Sequence, residues 1–440
     1  MNASGSPSML PAMSTEEEAH SRAVSRFIGQ RIAAAGGWLP FDDFMELALY
    51  APGLGYYSAG GVKIGRGGDF TTAPEVSDLF SQCVARQVSE VLEHTGGSVL
   101  ELGAGTGRMA ASVLTTLASL GSLPEQYAIL EVSADLRDRQ RACIERLPQA
   151  LRERVTWLDS LPPAPMRGVI LANEVLDALP CERVVVRGGG VRELGVSIES
   201  AGDAPLERRA AEGPESAILS RSTAAVRTRQ ISATAPTATP ARTLAGQPPG
   251  TSMAHFIERE APARPEVAAA WRAVRDALPF DLEDGYRTEL CTRVAPWLAG
   301  LSESLERGLI LLFDYGLPRA HYYHPQRADG TLRCHFKQRA HDDPLINVGV
   351  QDITAWVDFT RVAEGADIAH LDVRGFVTQA AFLLGLGIEG LIGGDLRLAS
   401  EARKLLMPGE MGEAFKAMAL TRAIDIPLSG FSVQDLRHSL

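Results

Sequence analysis

The stretch Val99-Leu100-Glu101-Leu102-Gly103-Ala104-Gly105-Thr106-Gly107-Arg108 constrains this chain more than any other. It opens with the apolar run of a buried strand, and three glycines follow at alternate positions. Met109, Val113, Leu114, Leu117 and Leu120 then recur on roughly one face of a helix. A strand that runs through a tight glycine turn into a helix lets a ligand lie against bare backbone at the carboxyl end of the strand, where open α/β sheets hold cofactors. The spacing narrows the choice of ligand. A dinucleotide turn needs G-x-G-x-x-G, and its third glycine would fall on Arg108. Glu101, two residues ahead of the first glycine, adds a carboxylate able to hold a cationic amine. An ordinary strand-to-helix turn is the competing reading of the glycines alone.

The pattern around this turn predicts an α/β fold. Val99–Leu102, Ala128–Val132, Val155–Leu158 and Val169–Ala172 read as strands, with helices between them, the charged one running from Arg137 to Arg146. Strand after helix after strand implies a parallel sheet with helices on both faces. Ahead of it, a helix from about Thr15 to Ala35 stops at Gly36-Gly37. Beyond it, Val191–Ile198 reads as a further strand, an amphipathic helix near Pro265 carries Trp271, Val274 and Leu278, a second helix runs from about Arg287 to Leu305, and Gly308–Asp314 reads as a buried strand. The chain divides into a disordered N-terminus (1–18), a helical leader (19–97), a ligand-binding core (98–200), an insertion (201–255), and the rest of the sheet with a substrate-side α+β lobe (256–440). Within the insertion, residues 231–252 are mostly Ala, Thr, Pro and Ser, with Arg242 as their one charge. Such a stretch cannot offset its ordering entropy, so disorder is expected there.

Composition removes several function classes. Among 440 residues, 45% are hydrophobic and 22% charged, as in a soluble globular chain. A net charge of -11 argues against general nucleic-acid binding and leaves a basic protein or peptide as a partner for an acidic face. No apolar run approaches the ~20 residues of a membrane span. The five cysteines form no C-x-x-C, so structural zinc and a disulfide framework are not expected and a reducing compartment fits. The first twenty residues lack arginine and contain Glu16, Glu17 and Glu18, unlike a secretory or transit peptide, and a cytoplasmic location is expected.

Candidate site residues cluster after the strands. The spacing Glu101-x-Gly103-x-Gly105-x-Gly107 is similar to that of S-adenosylmethionine (SAM) methyltransferases. Glu131 stands 24 residues past Gly107, where an acid can accept both hydroxyls of a ribose. Capping of the following helix beside Ser133 is its structural alternative. Leu158 and Asp159 close the third strand, at a position that commonly flanks an adenine, and Trp157 and Leu158 point to opposite faces. Asn173-Glu174-Val175-Leu176-Asp177 follows the fourth strand. Two carboxylates at i and i+3 share a face if the turn is helical, and they suit a planar guanidinium. Arginine is protonated at ordinary pH and a cation is a poor nucleophile, so an adjacent carboxylate that localises charge and takes a proton suits such an acceptor. Glu174 carries this reading best, and a helix cap or ion pair is its structural alternative. The segment Gly68–Ser77 reads from its residues alone as a turn and a helix start. His321, Tyr322, Tyr323, His324, His335, His341, Asp342 and Asp343 form a polar-aromatic cluster whose spacings match no common zinc motif; no metal is expected.

With these segments in hand, the chain resembles the MidA family of class I methyltransferases. The matching stretches are Phe44–Tyr57, Gly68–Phe80, Val99–Gly107, Ala172–Pro180, Asp314–Leu317 with Tyr322–Pro325 and Gly330–Leu332, Asp352–Phe359, Phe382–Ile388 and Pro408–Phe415. The resemblance implies a Rossmann-like sheet, SAM as cofactor, and protein-arginine methylation. In mitochondrial members this gives symmetric dimethylarginine on the 49-kDa-type subunit of respiratory complex I in the matrix. It places Gly103, Ala104, Gly105 and Gly107 on the cofactor with Glu101, Glu131, Leu158 and Asp159. Thr72 and Pro74 would close over the methionine end, and Asn173, Glu174 and Asp177 would serve catalysis. Glu75, Tyr315 and Tyr323 fall on the substrate side. Two departures are visible: the insertion near 201–255, and Gln338 where similar sequences usually have histidine.

The expected activity is therefore SAM-dependent N-methylation of a protein arginine. A SAM-binding assembly factor that holds a client subunit, favoured by the large non-core portion, and a small-molecule methyltransferase are the alternatives. Arg108 at the third dinucleotide position disfavours a dehydrogenase. The sequence names no client and sets no oligomeric state; a homodimer is compatible with it.

Overall fold

Val99 and Leu100 are neighbours in sequence but belong to different cores, and that split organises the molecule. The structure is a computed structural model that describes residues 10–60, 71–199 and 255–440. Its central sheet contains β1 (Ser98–Leu102), β2 (Tyr127–Leu130), β3 (Val155–Leu158), β4 (Met166–Asn173), β5 (Leu305–Leu317), β6 (Asp372–Thr378) and β7 (Phe415–Arg422). Alternate side chains along each strand reach opposite faces. Val99, Val169, Leu171, Leu309, Leu311 and Phe313 pack under the helices Asp78–Thr95 and Arg108–Leu120. Leu100, Leu102, Ile170, Ile310 and Leu312 pack under Val294–Glu303 and Phe359–Ile368. Both faces of the sheet are thus covered, and each such side chain contributes roughly 1.5–3 kcal/mol by burial.

The strand order is β3-β2-β1-β4-β5-β7-β6. The first four neighbouring pairs are parallel, with Leu100 opposite both Ala128 and Ile170. β7 runs antiparallel to β5 and β6. A two-residue strand, Val357–Asp358, pairs parallel with the end of β5. From β1 the chain builds outward to β3, then returns to lay β4 on the other side of β1. The carboxyl ends of β1 and β4 therefore flank a topological switch point, where a crevice forms.

A second, antiparallel sheet joins Leu39–Pro40, Glu182–Arg187, Gly190–Ile198, Phe256–Pro262 and Arg287–Leu290. Gly188 and Gly189, at φ +57° and +77°, make its tight hairpin. A third sheet joins Arg333–Phe336, Arg339–His341 and Asp352–Thr354.

Several boundaries differ from the sequence expectation. The first helix begins at Thr15, as its pattern predicts, so residues 15–18 of the segment expected to be disordered are helical: Ser14 and Glu17 form a capping box that draws the acidic run Glu16–Glu18 into the first turn. Arg287–Leu290 is a strand and the helix begins only at Val294. Pairing with Glu182–Arg187 overrides the helical pattern there, and the Glu182 carboxylate accepts the Thr292 backbone N–H at 3.1 Å in the intervening turn. Tyr322 and Tyr323, grouped by sequence into a polar-aromatic cluster, pack in a buried core with Trp271. Residues 1–9, Gly68–Phe70 of the leader, and the insertion as far as residue 254 lie outside the described residues. No helix among the described residues is long and apolar enough to cross a membrane.

Candidate active site

All three glycines of the turn after β1 have positive φ, which side chains adopt only with strain. Gly107 is doubly constrained, because a Cβ there would lie 3.0 Å from Gln140 Cα. The turn is anchored from outside by the leader. Thr106 donates its hydroxyl to the Glu75 carboxylate, and Arg108 reaches the Glu75 carbonyl and the Asp78 carboxylate at 3.0 Å each.

Above the turn lies a cavity of about 360 Å³. Glu101, Gly103, Ala104, Gly105, Glu131, Thr72, Pro74, Glu75, Asn173 and Glu174 line it. Leu102, Leu130, Leu136, Leu161, Trp297 and Leu301 give it apolar walls. Glu131 follows β2 directly. Its Oε1 accepts the Ser133 backbone N–H and its Oε2 the Gln140 amide, both at 2.9 Å. Burial raises its pKa, and these two bonds oppose that rise. The carboxylate is held in one orientation and each oxygen has a lone pair left. Glu101 is only 3% exposed and accepts the Tyr127 hydroxyl at 2.6 Å. Burial pushes its pKa up to about 7, so a cation brought beside it gains a partner.

A group of carboxyl side chains is built after β4. Glu174 sits at φ +54°, a left-handed conformation that a side chain adopts rarely, and donates its backbone N–H to Phe313 at 2.8 Å. Its carboxyl group is held by the Asn173 amide at 3.2 Å and by the Ala73 backbone N–H. Burial first, and the neighbouring Asp177 second, push its pKa up to about 8. Asp177 lies behind it, takes the Tyr315 hydroxyl on Oδ2, and is likewise raised by burial. Asp314, at the end of β5, is fully buried and accepts the backbone N–H groups of Leu176 at 2.9 Å and Asp177 at 3.2 Å on one oxygen. Three carboxyl groups thus meet in a buried corner, and burial raises the pKa of each.

The sequence candidates fall in two groups. Glu101, Gly103, Ala104, Gly105, Glu131, Thr72, Pro74, Glu75, Asn173 and Glu174 all line the cavity. Gly107 shapes the turn below it. Asp177 and Tyr315 bond to one another behind Glu174. Leu158 and Asp159 lie outside the cavity wall: Leu158 packs on the core, and the Asp159 side chain is 90% exposed on Arg137 at 2.7 Å. Tyr323 is fully buried, with its hydroxyl on the Glu289 carbonyl. Gln338 sits at a hairpin tip at φ +61°, outside the wall. Sequence reasoning gave no role to Gln140, Trp297, Tyr50, Tyr57, Asp314 or Asp352. A signal existed only for the last four, which fall inside the matched stretches Phe44–Tyr57, Asp314–Leu317 and Asp352–Phe359.

Two buried, hydrogen-bonded carboxyl groups at Glu101 and Glu131, bare glycine backbone and apolar walls fit a nucleoside that carries an amino acid. Together with the strand order they define the class: a SAM-dependent methyltransferase. Residues 83–377 match the family described as "Putative S-adenosyl-L-methionine-dependent methyltransferase", and the chain belongs to that family. A Burkholderia thailandensis protein crystallised with S-adenosyl-homocysteine superposes with a TM-score of 0.82 at 37% identity, covering 98% of this chain and 100% of that one. Among curated relatives, the mitochondrial protein arginine methyltransferase NDUFAF7 homolog of Drosophila melanogaster is 27% identical over 98% of this chain and 95% of its own. Human mitochondrial protein arginine methyltransferase NDUFAF7 is 25% identical over 87% and 80%.

Proposed function

We propose that this methyltransferase acts on an arginine nitrogen of a protein. The observation that carries the reading is Glu174, a strained and hydrogen-bonded carboxyl group on the cavity wall with Asp177 and Asp314 behind it. A planar cation would restore the charge that burial suppresses in this corner. Relatives named as protein arginine methyltransferases support the same acceptor.

In this reading Glu101, the glycine turn and Glu131 hold the cofactor, with Thr72 and Pro74 closing one side. When bound, SAM supplies an electrophilic methyl group on a sulfonium. Glu174 draws the guanidinium charge toward itself and takes the proton that the attacking nitrogen gives up. Asn173 and the Ala73 N–H keep the Glu174 carboxyl group aimed. Asp314 fixes the loop that carries it, and Asp177 adds negative charge behind it. Symmetric dimethylarginine as product, a subunit of the 49-kDa type as client, and a cytoplasmic location complete the proposal.

The test is to incubate the purified protein with methyl-labelled SAM and lysate from a strain lacking it, then map the label by mass spectrometry. Label on an arginine of one protein, lost in Glu174→Gln, is the expected result. SAM binding in calorimetry with label only on small molecules, or on no acceptor at all, would overturn the arginine reading.

A further inference from the structure

The stretch Phe44–Tyr57 is the matched motif to which the machinery above gives no task. The helix Phe41–Tyr50 ends at Tyr50, and the chain doubles back through Ala51–Gly55. Gly55 makes this reversal possible: a Cβ there would lie 2.5 Å from the Leu49 carbonyl carbon and the Tyr50 nitrogen. The Tyr56 and Tyr57 N–H groups then bond to the carbonyls of Ala48 and Leu49 at 2.8 Å each. The result is a stacked pair, with the Tyr50 and Tyr57 rings 5.4 Å apart and 21° from parallel.

Both tyrosines line the cavity that Glu174 lines. Both hydroxyls are already committed, Tyr50 donating to the Ala178 carbonyl and Tyr57 to Asp352 Oδ1, at 2.9 Å each. Burial, and then Asp352, raise both phenol pKa values well above the usual range, so neither group serves as a base. What the pair offers a ligand is ring surface, whose π electrons attract a cation, backed by the negative charge of Asp352 and Asp177. A guanidinium is flat and weakly hydrated and stacks on such a surface; an ammonium is a compact, strongly hydrated point charge.

We propose that Tyr50 and Tyr57 form the aromatic half of the acceptor site, receiving the plane of the substrate guanidinium opposite Glu174 and selecting it over an ammonium or a neutral isostere. This rests on the arginine reading above and adds the residues that set its specificity.

The full-length protein, saturated with S-adenosyl-homocysteine, is titrated with N-acetyl-arginine methylamide, its citrulline analogue and its lysine analogue. Binding is followed by saturation-transfer NMR, and SAM and S-adenosyl-homocysteine affinities are measured in parallel by calorimetry. Wild type is expected to prefer the arginine probe. Tyr50→Leu and Tyr57→Leu are expected to weaken that probe by about tenfold while the ratio of SAM to S-adenosyl-homocysteine affinity stays constant. Tyr50→Phe, which keeps the ring, is expected to recover most of the loss, and a melting temperature close to wild type shows that each variant is folded. The proposal is overturned if the folded leucine variants bind the arginine probe as wild type does, or if citrulline or lysine binds equally well. It is also overturned if SAM alone loses affinity, because the rings then face the sulfonium. If wild type labels protein arginine in the lysate while the leucine variants keep their acceptor KM, this proposal fails and the arginine reading stands. If wild type neither labels arginine nor binds the probe, both fail.

Discussion

Gln140 donates its side-chain amide to Oε2 of Glu131 at 2.9 Å. The same nitrogen lies 3.0 Å from the Gly105 carbonyl, and the side-chain oxygen accepts the Trp157 indole N–H at 3.0 Å. One buried glutamine therefore ties the acid after β2, the glycine turn after β1 and the middle of β3 into a single rigid unit. Gln140→Leu removes both donor bonds and strands the indole. Stability is expected to fall by about 1–3 kcal/mol and S-adenosyl-homocysteine affinity by about tenfold. Thermal melts and calorimetry read the two effects. Unchanged affinity in the folded variant would show that Glu131 needs no such support.

Glu174 supplies a kinetic prediction. Its pKa of about 8 in the ligand-free protein lies well above the ordinary carboxyl range, through burial and Asp177. A proton acceptor works only when ionised, and kcat/KM reports the free enzyme. The value of kcat/KM should therefore rise with pH from 6 and level off above about 8. Glu174→Gln should keep SAM affinity within about twofold and lose transfer by roughly a hundredfold or more. A flat profile between pH 6 and 9, or an active glutamine variant, removes Glu174 from proton transfer.

The parts legible in the sequence were those governed by local pattern. Short apolar runs in Val99–Leu102 and Val169–Ala172 marked the strands, and glycine spacing marked the turn, because both depend on neighbours in sequence. Partners that meet only through the fold were not legible. Gln140 sits on a helix whose pattern shows only charge, and nothing local says that it reaches Glu131. Asp314 read as a strand end, yet its bonds go to Leu176 and Asp177, more than a hundred residues earlier. Arg287–Leu290 was misread for the same reason: its strand state is set by pairing with Glu182–Arg187. Asp159 occupies the expected place in sequence, but the Arg137 guanidinium holds it at the surface.

Gly55 makes a packing prediction independent of catalysis. A methyl group there meets backbone atoms of Leu49, Tyr50 and Ala51 at 2.5–2.6 Å, and backbone cannot swing aside as a side chain can. Gly55→Ala is expected to destabilise the protein by about 1–3 kcal/mol and to move Tyr57 off Tyr50. A crystal structure of the variant with the ring pair still stacked, together with an unchanged melting temperature, would refute the close-approach argument.

Glu101 ties stability to pH. Its folded-state pKa of about 7 exceeds the ordinary value of 4.5 because burial disfavours the charged form, against the Tyr127 hydrogen bond. A raised folded pKa means that the unfolded chain releases this proton first. The stabilisation is complete below pH 4.5 and drains away as pH climbs through about 7. The shift corresponds to a loss on the order of 3 kcal/mol across that window. Glu101→Gln cannot ionise and keeps an acceptor for the Tyr127 hydroxyl. Melting curves of the ligand-free wild type and of Glu101→Gln, taken from pH 4.5 to 9, should therefore diverge, with the wild type losing ground as pH rises. Parallel curves would show that Glu101 is already ionised at low pH in the folded protein. Its burial would then be compensated by something other than Tyr127.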